Sequence, residues 1–254
     1  MNAIRLYTLT YKETYRFLKV WMQTVFSPVV IAVMYFAVFG GALSSRIVEF
    51  NDIPYLAFIV PGLALLQATT NAFQNPSSSL IIAQYQGLLP DLLMSPLTAM
   101  EKTLGYLLGG VIRGVMVTLL IFGVAAFFVR DFWPEHWLAL AAITFLANGT
   151  FSLMGTLVGI WSKTFDGVAG ITTFVITPMA FLGGVFYSIN ALPEFARILS
   201  HANPFFYYVD ATRWAFFGVS DIAPAISFSV ALGFFLFFFA CVYIAFATDW
   251  RMKS

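Results

Sequence analysis

Few side chains in this sequence combine a reactive type with a spacing that gives them work to do. Asp210 and Arg213 stand three apart in a short aromatic segment. On a helix that spacing brings opposite charges together, a pairing worth on the order of a few tenths of a kcal/mol when exposed; in a partly buried vestibule the pair could also act as a hinge. Arg113 lies in the first half of a long apolar run. A charge at mid-bilayer costs at least roughly 2.5 kcal/mol, which makes it a functional candidate unless the side chain reaches back to the surface. His136 and His201 lie far apart without flanking ligand spacing and read as loop or interface histidines. Cys241 is the single cysteine, which excludes an intrachain disulfide and offers no metal site. There is no GxxxxGK[ST] phosphate loop, no Ser-His-Asp set and no paired carboxylates. The chain is therefore not expected to be an enzyme, nor to hold a cofactor or metal of its own.

The elements that must carry these residues are apolar. The chain of 254 residues is 60% hydrophobic, 18% aromatic and 10% charged; a soluble domain is about a quarter charged. A single-domain, all-α polytopic membrane protein is expected, with spans over 24–43, 53–75, 103–129, 137–161, 168–187 and 222–247. Ahead of them, residues 4–22 place Ile4, Tyr7, Tyr11, Tyr15, Leu18 and Met22 at helical spacing with Arg5, Lys12, Arg16 and Lys19 elsewhere on the wheel, an amphipathic helix suited to a membrane surface. Eight cations (Arg5, Lys12, Arg16, Lys19, Lys102, Lys163, Arg251, Lys253) fall on the side of the termini and four (Arg46, Arg130, Arg197, Arg213) opposite. The positive-inside rule then puts both termini in the cytosol. By the same layout every carboxylate maps to a membrane face, which weighs against an ion-coupled secondary transporter and against an intramembrane lipid-modifying enzyme.

Gly105, Gly109, Gly110 and Gly114 open the third span, and Gly155 and Gly159 recur in the fourth; small residues at this spacing let helix backbones approach closely, within the subunit or across a dimer. Between the second and third spans, Gln84, Gln86, Asp91, Glu101 and Lys102 accompany Leu88, Leu89, Leu92, Leu93 and Met94, enough for a short helix with a sticky face. Such a face suits a partner, or the protein's own bundle.

The stretch 163–219 sets the frame. After an apolar span it continues into two helical pieces of about 13 and 21 Å, over 193–201 and 204–217, too short to cross. Asn203 is the expected N-cap of the second, Pro204 its first residue and Gly218 its stop. Aromatic residues on every side of it favour a re-entrant pair covered by protein over a pair lying flat.

GGVFYS at 183–188, a Pro-led short helix, NPFFYYVDATRWAFFG at 203–218 and one last span, with FIVPGL at 58–63 and KTFD at 163–166, give a sequence that resembles the ABC-2 class of ABC transporter permeases along nearly its whole length. The resemblance implies a bacterial inner-membrane homodimer with two copies of a separate ATPase subunit, which binds ATP and Mg, and usually export of amphipathic or lipid-linked material; membrane lipids are partners and nucleic acid is not. It also places a coupling helix at 84–95, making Gln84, Tyr85, Gly87, Leu88, Asp91, Leu92 and Met94, with Glu101, the expected ATPase-coupling residues. Phe181 and Phe186, with Phe205 and Tyr208 beside Asn203 and Pro204, are the expected apolar outer gate, and simple packing is the alternative for each.

Overall fold

A computed structural model describes residues 2–38, 49–50, 53–129, 133–189 and 192–248. The order is α1 (Ala3–Lys19), a π-helical turn (Met22–Phe26) running into α2 (Ser27–Val38), strands β1 (Glu49–Phe50) and β2 (Ile53–Pro54), α3 (Tyr55–Tyr85), α4 (Leu89–Met94), α5 (Ala99–Phe128), α6 (Trp137–Trp161), α7 (Phe165–Ile171), a second π-helical turn (Thr172–Ile176), α8 (Thr177–Leu182), α9 (Glu194–His201), α10 (Pro204–Phe217) and α11 (Pro224–Ala247). β1 and β2 form a two-rung antiparallel bridge, Glu49 opposite Pro54 and Phe50 opposite Ile53.

Among the described residues, five helical stretches are long and apolar enough to cross a membrane: α3, α5, α6, α7 through α8, and α11. The first expected span, 24–43, is carried as far as Val38 by the π turn and α2; residues 39–48 lie outside the described ones, as do Arg46, Arg130, Arg251 and Lys253 of the charge tally.

α3 is the axis of the bundle, buried along most of its surface from Ala57 to Ile81, with Leu66, Gln67, Thr70, Gln74 and Ser78 forming one partly covered stripe. α6 runs beside it in the same direction, and glycine makes the approach possible. A Cβ on Gly155 would lie 2.1 Å from the Phe73 carbonyl oxygen, and one on Gly159 2.9 Å from the Ser77 Cα. α5 presents two glycine faces. Gly110 and Gly114 receive Ser152 and Asn148 of α6, whereas Gly105 and Gly109 receive Leu9 and Glu13 of α1. All four glycines therefore pack inside the subunit.

Two expected spans have different bounds in the structure. α3 continues ten residues past the expected end at Asn75, reaching Tyr85, although Pro76 lies within it. Proline removes the ladder donor to the Ala72 carbonyl, yet the helix runs on; the hydroxyls of Ser77 and Ser78 bond back to the next two carbonyls, those of Phe73 (2.9 Å) and Gln74 (2.7 Å). The fifth span, expected over 168–187, stops at Leu182 and is interrupted by the second π turn. Both π turns directly precede a Ser/Thr-Pro pair, Ser27-Pro28 and Thr177-Pro178. A proline ring clashes with the carbonyl four residues back, and widening the preceding turn relieves that clash. In the second, the Thr177 hydroxyl donates to the Thr172 carbonyl, 3.0 Å away.

Candidate functional site

The side chains singled out by sequence fall into three places along the bundle. At the first, α3 ends at Tyr85 and turns through Gly87, whose φ of 68° is a left-handed conformation that favours glycine. α4 follows. Gln84 and Tyr85 thus belong to the last turn of α3 and not to the short helix: the Gln84 amide donates to the Gly159 carbonyl (2.8 Å), and the Tyr85 ring stacks on Phe165 at 5.8 Å. Leu89, Leu92 and Leu97 pack against a cluster built from Leu9, Leu80, Tyr106 and Phe246. Leu88 and Met94 face outward, Met94 being 86% exposed, and Asp91 is exposed between them. The sticky face is thus divided: Leu92 holds α4 to the bundle, while Leu88 and Met94 are free for a partner.

Glu101 has a local task. With Thr98 it closes a capping box at the start of α5, taking the Thr98 N–H at 2.9 Å while the Thr98 hydroxyl takes the Glu101 N–H at 3.2 Å. Its other oxygen accepts the N–H of Asn2 at 2.6 Å, and Arg5 donates to the Pro96 carbonyl at 2.5 Å. α1 is thereby clasped to the linker that carries α4. The Asn2 N–H, followed by that of Thr98, holds the Glu101 carboxyl below the usual glutamate range. The T-x-x-E pattern at 98–101 was the available sequence signal for this cap.

The second place is a polar seam where α1, α3 and α5 meet. Leu9, Glu13 and Phe17 form the buried face of α1, while the stripe from Ile4 through Tyr15 faces outward with Tyr7, Tyr11 and Tyr15 stacked at 5.9 and 5.8 Å. Glu13 is fully buried. Its carboxylate accepts from Ser79 at 2.7 Å and pairs with Arg16 at 3.3 Å. Arg16 also reaches the backbone and side-chain oxygens of Asn75 (2.5 and 2.9 Å) and Ser78 (3.1 Å). One turn further on, Arg113 is buried, donates from Nε (3.2 Å) and Nη2 (2.9 Å) to Asn71 Oδ1, and lies 6.0 Å from the centre of the Phe17 ring. One of the two readings of Arg113, a side chain reaching back to the surface, is removed here, and the placing of every carboxylate at a membrane face meets an exception in the protein interior. Arg113 turns inward to α3, and Glu13 is a carboxylate inside the protein. A helical wheel shows which residues share a face, not which face meets a neighbour.

The third place surrounds α10. This helix is encased by α3, α6, α8 and α11, with Phe205, Phe206, Tyr208, Val209 and Phe216 almost wholly buried. The Asn203 side chain caps it by accepting the Phe205 N–H at 3.0 Å, Pro204 is its first residue, and Gly218 ends it at φ 66°. Asp210 and Arg213 do not pair with each other. Arg213 gives its Nη2 to the carbonyls of Gly184 and Val185, reaches Tyr187 at 3.4 Å, and stacks on Phe58 at 3.8 Å. Asp210 accepts the Asp221 N–H at 2.6 Å and the Ser227 hydroxyl at 2.8 Å. The turn 183–188 leaves its carbonyls without a helix ladder, and those carbonyls outcompete the carboxylate for the guanidinium. Of the expected gate residues, Phe205 packs edge-on to Phe151, and the Tyr208 hydroxyl donates to Thr150 at 2.8 Å. Phe181 is 48% exposed and touches Phe186 at 5.4 Å. Beside them an open groove of ≈ 350 Å³ runs between α8 and α9, lined by Phe174, Pro178, Leu182 and Leu199.

Close-packed apolar helices, a short outward-facing helix between two of them and an encased helix before the last describe a polytopic, all-helical membrane protein. A model of the family described as ABC-2 type transporter matches residues 4–217, and the chain belongs to that family. It is similar to the inner membrane transport permease YadH of Escherichia coli K12, with 39% identity over 228 residues covering 90% of this chain and 89% of the relative. More distant relatives include nodulation protein J of Sinorhizobium fredii (25% identity; 78% of this chain, 77% of the relative) and the daunorubicin resistance ABC transporter permease protein DrrB1 of Streptomyces coeruleorubidus (23%; 76% and 66%).

Proposed function

We propose that this chain is the membrane-spanning subunit of an ATP-binding cassette exporter, moving an amphipathic, lipid-like or drug-like substrate, with ATP and Mg handled by a separate ATPase subunit in two copies. On this reading it works as a homodimer in a bacterial inner membrane, both termini cytosolic, α4 the coupling helix and α9 with α10 re-entrant from outside. Family membership supports the ATPase partnership, and the relative named for daunorubicin resistance supports an amphipathic substrate. The observation that carries the reading is the geometry of α4: a helix anchored through Leu89 and Leu92 that leaves Leu88 and Met94 uncovered. A force applied to those two residues passes to α3 and α5 directly and, through the clasp of Glu101 on Asn2, to α1. The thinly covered stretch α7 through α8, with Phe174 81% exposed, is the face offered to a second copy.

The test is copurification of a P-loop ATPase with this chain and reconstitution of the two together. The reading expects the chain to stimulate ATP hydrolysis, and the Leu88→Asp, Met94→Asp double variant to lose that stimulation while remaining monodisperse. A double variant that stimulates hydrolysis like the wild type removes α4 from the coupling.

One observation favours an ion-coupled transporter instead, the fully buried Glu13. Its oxygens are already occupied by Arg16 and Ser79. Transport that persists on a proton gradient without ATP would favour that alternative.

A further inference from the structure

Among the described residues three guanidiniums lie within the helix bundle, and two have their donors largely matched by oxygen. Arg16 has Glu13, Asn75 and Ser78, and Arg213 has three carbonyls with Asp210 and Asp221 acting on its charge. Arg113 differs. It is 6% exposed, both of its hydrogen bonds go to the single neutral oxygen of Asn71, and among the described residues no carboxylate lies within ion-pair distance. Its charge is repelled by that of Arg16, and the carboxylate of the seam, Glu13, is already engaged by Arg16. Its second terminal nitrogen, Nη1, has no hydrogen-bond partner among the described residues and is not fully buried.

We propose that Arg113 is a binding point for the anionic group of a membrane amphiphile, a phosphate or carboxylate. A buried charge with no counter-ion is strongly unfavourable, and a fork of guanidinium donors matches a phosphate or carboxylate better than any other common group. Asn71 fixes two donors and the Phe17 ring covers one face, leaving Nη1 as the open side of the fork. The anion comes from either of two sources, a bilayer lipid head group or a transported amphiphile. The inference needs only that α5 cross a membrane, so it stands or falls independently of the ATPase reading.

The test is binding, read without ATP or transport. Purified protein in nanodiscs of phosphatidylcholine, with or without phosphatidylglycerol, is followed by native mass spectrometry and thermal unfolding. Wild type is expected to carry phosphatidylglycerol and to unfold at higher temperature when it is present. Arg113→Gln is expected to bind about tenfold more weakly and to lose the lipid-dependent shift. Asn71→Asp supplies an internal counter-ion at almost unchanged volume; it is expected to fold at least as stably in phosphatidylcholine as wild type and likewise to lose the lipid. Displacement of phosphatidylglycerol by a single-chain alkyl phosphate points to a transported amphiphile, and resistance to displacement points to a resident lipid. Wild type indifferent to phosphatidylglycerol, or a folded Asn71→Asp protein that binds it unchanged, would overturn the proposal.

Discussion

The α carbon of Gly155 faces the main chain of Phe73 so closely that a methyl group there would stand 2.1 Å from the Phe73 carbonyl oxygen. That contact seats α6 on α3, and a backbone oxygen in a packed helix pair cannot step aside. Gly155→Ala is expected to cost about 1 to 3 kcal/mol and to lower the unfolding temperature in detergent. Gly123→Ala and Gly233→Ala, where an added methyl meets nothing within 4 Å, are expected to be neutral or slightly stabilising. Tryptophan fluorescence on heating checks all three.

Leu92 and Met94 lie on one short helix but do different things. Leu92→Asp places a charge against the Leu80 and Tyr106 cluster and is expected to reduce the yield of monodisperse protein. Met94→Asp is expected to leave yield and unfolding unchanged and to act only on a partner. Size-exclusion profiles of the two variants, side by side, separate anchoring from docking.

The clasp between α1 and α5 depends on the charge of Glu101. Its folded-state pKa is lowered, so its stabilising contribution is complete above the ordinary glutamate value of about 4.3 and is lost as pH falls through and below it. Glu101→Gln is expected to remove that segment of the pH dependence. Thr98→Ala, which deletes the cap hydroxyl, is expected to cost about 1 kcal/mol at neutral pH. Unfolding followed from pH 7 down to about pH 2.5 tests both.

Asp210 ties α10 to the start of α11. Asp210→Ala leaves the Asp221 N–H and the Ser227 hydroxyl without their acceptor and is expected to cost about 1.5 to 3 kcal/mol. Asp210→Asn retains one acceptor oxygen and is expected to cost less. Limited proteolysis after residue 217 is the sensitive readout, since loosening begins at the turn 218–223.

Much of the layout could be read from the sequence because its signals are local. Asn203, Pro204 and Gly218 mark the ends of α10 by their own chemistry, and the glycines of α5 and α6 announce close approach by type alone. What could not be read is what faces what. Arg16 belongs to the surface cations on a helical wheel, yet its partners lie on α3, some sixty positions away. The extent of α3 was hidden by Pro76, which reads as a stop in the sequence but lies within a helix that the packing of α5 and α6 carries on to Tyr85. Asp210 and Arg213 have the spacing of an ion pair, and only the carbonyls of Gly184, Val185 and Tyr187 explain why the pair does not form.

The central claim is that a separate ATPase moves this chain through α4. With Cys241 replaced by serine, a cysteine at position 94 is cross-linked in native membranes, and the adduct is identified by mass spectrometry. The account predicts a P-loop ATPase joined to position 94, and none joined when the cysteine is placed at position 92; a folded protein that yields no ATPase adduct at position 94 would contradict it.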